Sequence, residues 1–189
     1  MTSIKKIVGF VFVCFFMTNV NAQDNKQAPK LPIDDATKLV TYSKVNEVAG
    51  VTMKDLYNRA IVWGTTYYKN PTDVLRERDS VNGELVCKAR YKIMNPADKK
   101  GFATEAGVVM YTLKLSFKDG KYKYVMTDIN WKQASYYPIE RWMDTKSPSY
   151  KPEFDFYLQQ VDEKSREVIK DFDKALKTAG NPATKKDDW

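Results

Sequence analysis

Histidine is absent from the 189-residue sequence. Its absence excludes catalysis by a Ser-His-Asp triad or a Cys-His pair, and it removes the ligand on which most zinc and iron sites depend. A glycine-rich phosphate loop after a strand is also missing, because Gly101 and Gly107 belong to a polar connection between predicted strands. We therefore predict no metal site, no cofactor and no catalytic residue of these kinds.

Cysteine is scarce, with two residues in the whole chain. Cys14 lies in the apolar N-terminal run, where the bulky Val13 before it argues against lipid attachment. Cys87 alternates with core residues of a predicted strand, so we expect a buried, inert thiol in preference to a nucleophile. An internal disulfide is not expected, and stability must come from a hydrophobic core.

The sequence has no hydrophobic run long enough to span a bilayer. The apolar run at residues 7–17 has eleven residues, whereas a spanning helix needs about 20. Two lysines precede it, and Val20 and Ala22 match a small-x-small cleavage pattern. We predict a signal peptide at residues 1–22, cleaved before Gln23. The mature protein is then exported, periplasmic or secreted, without a transmembrane segment.

The net charge is +7, with acidic residues interspersed among the basic ones. A modest excess of this kind does not indicate a nucleic-acid binder, and predicted export argues against one. It is compatible with an anionic partner, such as an acidic glycan or a lipid headgroup, and equally with an ordinary solvated surface.

The chain is predicted to form one domain. Residues 23–37 are polar and contain two prolines, which indicates a tether. Residues 38–180 form the domain, beginning with a Val-, Thr- and Tyr-rich strand at 38–48. Residues 181–189 form a polar tail.

Two helices are predicted from apolar residues that recur every three or four positions. The first begins at Thr52, with Asp55 three residues later as an approximate capping box. The second covers residues 153–179 and is stopped by Gly180. Their predicted buried stripes are Leu56, Ala60, Trp63 and Tyr67 in the first helix and Val161, Ser165, Val168, Phe172 and Leu176 in the second.

Between the helices the sequence predicts antiparallel strands. Residues 73–79 suit a charged edge strand, and residues 84–93 and 107–117 alternate apolar and polar side chains. Asp119-Gly120 predicts a hairpin to the strand at 121–131. The fold class is therefore α+β: a single domain with an antiparallel β-sheet and two helices packed on one face, in the order β-α-β-β-β-β-α.

Several segments resemble a known family. LPID before the first strand, Tyr42 within that strand, DLYNRA in the helix and FKDGKYKY at the hairpin are similar to an exported bacterial family of unknown function with a TBP-like fold, after the TATA-binding protein. The resemblance runs from about Leu31 to Trp131. It implies an architecture and an envelope setting, and no catalytic residues or DNA binding, since a fold does not determine a function.

Two groups of residues are candidate binding sites. The first is the predicted outward face of the sheet, where basic side chains beside aromatic rings suit anionic sugars or phosphates; its residues are Lys88, Arg90, Lys92, Lys114, Tyr122 and Tyr124. The second is the aromatic segment at residues 135–150, which includes Trp142. Its rings either stack on a sugar or form a lid over apolar sheet surface left by Tyr122, Met126 or Trp131, since apolar residues fall on both faces of the strand at 121–131.

These features favour a non-enzymatic envelope protein that binds through its open sheet face and aromatic flank. One alternative is a hydrolase of envelope or environmental glycans that uses the carboxylates of Glu140 and Asp144, with Tyr137 nearby. Another is a structural subunit that forms a homodimer through its sheet. Candidate partners are an anionic glycan, a lipid headgroup or another envelope protein.

Overall fold

The computed structural model of the chain describes residues 28–178. The predicted signal peptide with its cleavage site, the helix stop at Gly180 and the polar tail at 181–189 lie outside the described residues. None of the helices in the described part is both long and apolar enough to cross a membrane.

The described elements follow one another as β1 (Tyr42–Glu47), α1 (Met53–Tyr67), α2 (Pro71–Val74), β2 (Leu75–Asp79), β3 (Glu84–Met94), β4 (Glu105–Lys118), β5 (Lys121–Lys132), β6 (Tyr136–Pro138), a 3-10 helix (Ile139–Trp142) and α3 (Glu153–Lys177). The strands form one antiparallel sheet in the order β1-β5-β4-β3-β2, and β6 pairs with the far end of β5. This is the predicted α+β architecture with three small additions: α2, β6 and the 3-10 helix.

Helices α1 and α3 lie against the same face of the sheet. Tyr57 of α1 meets Phe117 of β4 edge-on with 5.9 Å between ring centroids, and Phe172 of α3 meets Tyr122 of β5 at 5.4 Å. Trp63 of α1 packs against Phe172 at 5.0 Å, which joins the two helices. The predicted single-sided arrangement of helices is therefore confirmed.

Both helices form for the reasons that their sequences indicate. The Thr52 hydroxyl accepts the Asp55 backbone N–H at 3.1 Å and donates to the Asp55 carboxylate at 2.9 Å, which closes the N-terminus of α1. The predicted stripe of α3 is buried at every position, whereas in the α1 stripe Tyr67 is only half-buried.

The packed domain begins ahead of the predicted boundary at residue 38. Leu31 is buried in the core, and Ile33 pairs with Val40 in an isolated antiparallel bridge. The Thr41 N–H donates to the Pro32 carbonyl at 2.9 Å. Residues 31–37 are therefore part of the folded domain, because the apolar Leu31 gains more from burial than from exposure.

A β-bulge in β5 changes the face on which its side chains lie. Asp128 has a φ of +52°, and the register between β4 and β5 shifts between Met110 and Thr112. The extra residue reverses the alternation. Met126 before the bulge and Ile129 after it are consequently both buried on the helix side, although they have opposite parity in the sequence.

Candidate functional site: the open basic face of the sheet

The sheet face opposite the helices is the surface that the strands leave open. Cross-strand register fixes its members: Lys88 lies opposite Thr112, which lies opposite Thr127, and Lys114 lies between Val86 and Val125. We call this surface the open face. Its exposed cations are Lys88, Arg90, Lys92, Lys114, Lys118, Lys121, Lys123 and Lys132.

The cations of the open face are spread along its full length. The face consists of successive rows of residues that lie side by side on neighbouring strands. Each of the six rows from the Lys118–Lys121 pair to the row of Lys92 and Lys132 carries a lysine or an arginine. Rows follow one another at about 7 Å, twice the rise per residue of a strand. At this spacing, the strip of cations extends over roughly 35 Å from Lys121 at one end to Lys132 at the other.

Most of this charge has no acidic partner. Within residues 28–178, Lys92 alone among these cations forms an ion pair, with Glu105 at 2.6 Å. That pair is exposed and therefore contributes little to stability. The remaining cations keep their charge available to a ligand.

The structure places Lys88, Arg90, Lys92 and Lys114 together on the outward face, and it places two aromatic residues elsewhere. Tyr122 and Tyr124 do not neighbour these cations, because both are buried on the helix side of β5. The Tyr122 hydroxyl donates to Asp173 of α3 at 2.7 Å. Burial and the nearby Asp173 carboxylate raise the pKa of both tyrosines. The predicted combination of cations and stacking rings is therefore wrong for these two rings.

Sequence reasoning missed Lys118, Lys121, Lys123 and Lys132. The signal was present in β5, where lysines at 121 and 123 alternate with the aromatic residues at 122 and 124. Because successive side chains of a strand point to opposite faces, a strand that buries its even-numbered residues exposes its odd-numbered ones. Assigning the tyrosines to the core would have placed these lysines on the open face.

Trp142 is fully buried, as the lid interpretation requires. Its indole stacks on Phe154 with 5.6 Å between centroids and meets Trp131 at 5.4 Å. The neighbouring Arg141 is exposed and lies 5.2 Å from the centre of the Tyr137 ring. Trp142 lies on the helix side of the sheet and covers Trp131, whereas Tyr122 is covered by α3. The geometry does not bring Trp142 together with the basic residues of the open face.

The carboxylates of the hydrolase alternative have local structural contacts. The Glu140 carboxylate accepts the Val40 backbone N–H at 2.8 Å, which ties the 3-10 helix to the segment before β1. The Asp144 carboxylate accepts the Lys146 N–H at 3.1 Å within a turn. These contacts explain both acids as parts of the fold, and they provide no observation in favour of hydrolysis.

Cys87 lies in the centre of the core and is fully buried. Desolvation raises the pKa of its thiol to about 12. At neutral pH the side chain is therefore a protonated, apolar packing group.

The fold and this site define a TBP-like α+β domain with one sheet face open. Residues 42–132 match the family model described as a domain of unknown function (DUF4468) with TBP-like fold. Over these residues the chain is similar to this bacterial family of unknown function.

Solved structures agree with this assignment at the level of the fold. A DUF4468 family protein from Bacteroides ovatus superposes with a TM-score of 0.63 at 15% identity, over 80% of this chain and 92% of that one. A TBP-like protein from Parabacteroides distasonis gives 0.60 at 13% identity, over 78% and 97% respectively. No curated protein matches the chain.

Proposed function

We propose that this protein is a binding module for acidic glycans, with the open face as its binding surface. The carrying observation is the strip of cations that continues through the six rows from Lys121 to Lys132, in which only Lys92 forms an ion pair among the described residues. Repeated anionic groups along a linear polymer match charges repeated at about 7 Å. Each contact is worth little by itself, and many contacts in series give useful affinity.

A linear glycan fits this surface better than a lipid bilayer does. Peripheral membrane binding combines cations with exposed apolar side chains that enter the interface. The rows of the open face contribute mainly charged and polar side chains, and four apolar ones are half-buried between them: Val86, Val108, Met110 and Val125. The large exposed apolar side chains of this face among the described residues are Val45 and Met94, with Tyr136 at the flank. The charge also disfavours a homodimer in which two open faces stack on each other.

The test is a titration of the full chain with a heparin oligosaccharide and with polygalacturonate. A variant with Lys88→Gln, Arg90→Gln and Lys114→Gln removes three charges from the open face. At about 0.5 kcal/mol for each exposed contact, we expect at least about tenfold weaker binding.

The matched control is a variant with Lys54→Gln, Lys170→Gln and Lys174→Gln. These lysines are exposed on α1 and α3. The control variant therefore has the same net charge as the open-face variant, but its open face is intact. Binding to both polymers should stay close to that of the wild type. Equal loss in the two variants would mean a general charge effect and would overturn the proposal. Tighter binding to anionic vesicles or single-stranded DNA than to either glycan would overturn the ligand class.

We also propose that the protein is exported after removal of residues 1–22. The support is the short apolar run with its preceding lysines and the small residues Val20 and Ala22. Intact-mass analysis of protein from the cell envelope and medium should show Gln23 as the first residue. A mass that retains residues 1–22 would contradict this proposal.

A further inference from the structure

The hairpin end of the open face contains a concave depression. Its volume is about 400 Å³, which falls within the size range of small-ligand sites. Beside Tyr122 of β5, its lining combines three lysines with a hydroxyl, a carboxylate and an apolar side chain: Lys118, Lys121, Lys123, Ser116, Glu84 and Val45. We call this depression the hairpin seat.

The lysines of the hairpin seat are close neighbours, so their positive charges repel each other. Lys118 and Lys121 are directly opposite across the β4–β5 hairpin, where like charges destabilise a strand pair. Lys123 follows on the same face one row further along the strand. An arrangement that costs stability in the free protein is explained if an anion occupies it.

Nearby acids do not neutralise these lysines. Asp119, in the turn itself, accepts the Met53 backbone N–H at 2.7 Å and so holds the N-terminus of α1. Glu47 lies opposite Lys121 in the register, yet among the described residues no carboxylate comes within 4.0 Å of the three ammonium groups. The seat therefore holds unpaired positive charge.

We infer that the hairpin seat binds a single sugar unit carrying a phosphate, sulfate or carboxylate group. The anionic group lies between Lys118, Lys121 and Lys123, where it removes their repulsion. The sugar hydroxyls reach Ser116 and Glu84, and a CH face of the ring covers Val45, which is 55% exposed. This inference rests on the proposed function, since it assigns to the seat one charged unit of the glycan, and it adds recognition of the sugar itself.

Thermal unfolding of the full chain with glucose 6-phosphate, inorganic phosphate or glucose tests the inference. Ligand that binds only the folded state raises the unfolding midpoint. We expect glucose 6-phosphate to raise the midpoint of the wild type and of Lys88→Gln, a cation of the open face outside the seat. The shift should be lost in Lys121→Gln and in Lys118→Gln. Neutral glucose should give no shift, and phosphate should give a smaller one than the sugar phosphate.

Without ligand, Lys121→Gln should unfold at a midpoint equal to or above that of the wild type, because the repulsion from Lys118 is relieved. This separates a ligand role from a structural one, in which the substitution would lower the midpoint. Absence of a shift with glucose 6-phosphate, an equal shift with inorganic phosphate, or an equal loss in Lys88→Gln would each overturn the inference.

The polymer titration distinguishes this failure from failure of the proposed function. If the glycans bind through Lys88, Arg90 and Lys114 while glucose 6-phosphate gives no shift, the seat is overturned and the extended interface stands. If glucose 6-phosphate binds in the expected pattern while neither glycan binds, the seat is supported and the extended interface is overturned.

Discussion

The hydroxyl of Tyr42 in β1 donates a hydrogen bond of 2.8 Å to the Asp162 carboxylate in α3. Asp162 also accepts from the guanidinium of Arg166 at 2.9 Å, and that guanidinium lies 5.6 Å from the centre of the Tyr42 ring. The contact joins an edge strand to the helix that covers the core. Tyr122 and Asp173 repeat the same pairing farther along α3, so the sheet holds this helix through tyrosine hydroxyls as well as apolar packing.

Tyr42→Phe should therefore lower the free energy of unfolding by about 1.5–3 kcal/mol, the range for a hydrogen bond to a charged group. Urea denaturation measures the change. Tyr124→Phe is the matched control, because the Tyr124 hydroxyl forms no hydrogen bond to another described residue and the ring is equally buried. Equal effects of the two substitutions would show that the Asp162 contact does not anchor α3.

Alkaline pH should destabilise the protein. Burial raises the pKa of five tyrosines, and nearby carboxylates or tyrosine hydroxyls add to the increase; the residues are Tyr42, Tyr68, Tyr91, Tyr111 and Tyr122. A raised folded pKa means that the folded chain keeps a proton that the unfolded chain releases. The stabilisation is complete below the unfolded pKa of about 10 and is lost as pH rises above it.

Each such tyrosine should lower the free energy of unfolding by about 1.4 kcal/mol per pH unit above about pH 10. Between about pH 6 and 9, stability should change little, because the sequence contains no histidine. Urea denaturation at pH 7, 9 and 11 measures this profile. An unfolding midpoint at pH 11 equal to that at pH 9 would disagree with the buried tyrosine network.

Gly107→Ala should destabilise the fold through both backbone and side-chain geometry. The φ of Gly107 is +142°, and a Cβ there would lie 2.4 Å from the Trp131 indole nitrogen. Forcing this backbone conformation costs about 1–3 kcal/mol, and the indole must also move. Gly101→Ala is the control, since Gly101 has a φ of +85° with nothing within 4 Å of the added Cβ. Unfolding free energies that fall by the same amount would exclude a steric role for Trp131.

Trp142→Ala should cost about 3–5 kcal/mol, as for a buried large aromatic residue. The indole N–H has no hydrogen-bond partner among the described residues, so the loss belongs to packing against Phe154 and Trp131. Tyr136→Ala, at a ring that is 64% exposed, should change stability by less than about 0.5 kcal/mol. Equally small changes for both would show that the 3-10 helix is not part of the core.

The parts of the fold that follow from regular periodicity could be predicted from the sequence. The Thr52 cap, the α3 stripe and the inward residues of β3 and β4 all obey a single period, and the structure places them as that period requires. Regular alternation likewise placed Lys88 and Lys114 on the outward side.

Strand β5 could not be assigned in this way, because its period is interrupted. The apolar residues change parity between Met126 and Ile129, and uninterrupted alternation assigns them to opposite faces. The bulge at Asp128 puts both groups on one face. The signal for a bulge was that the apolar positions change from even to odd numbers across the polar Asp128. A bulge at that point places Tyr122 and Tyr124 in the core and the lysines beside them on the open face.

Backbone amide chemical-shift mapping with a heparin oligosaccharide tests the central claim most directly, because it reports the position of the ligand on the folded chain. We predict that the largest shifts follow the outward residues of β3, β4 and β5, from Lys121 to Lys132, and weaken as salt screens the charges. Amides of α3 around Lys170 and Lys174, and those of the C-terminal half of α1, should stay unchanged. Shifts concentrated on those helices, or absent from the open face at low salt, would contradict the account.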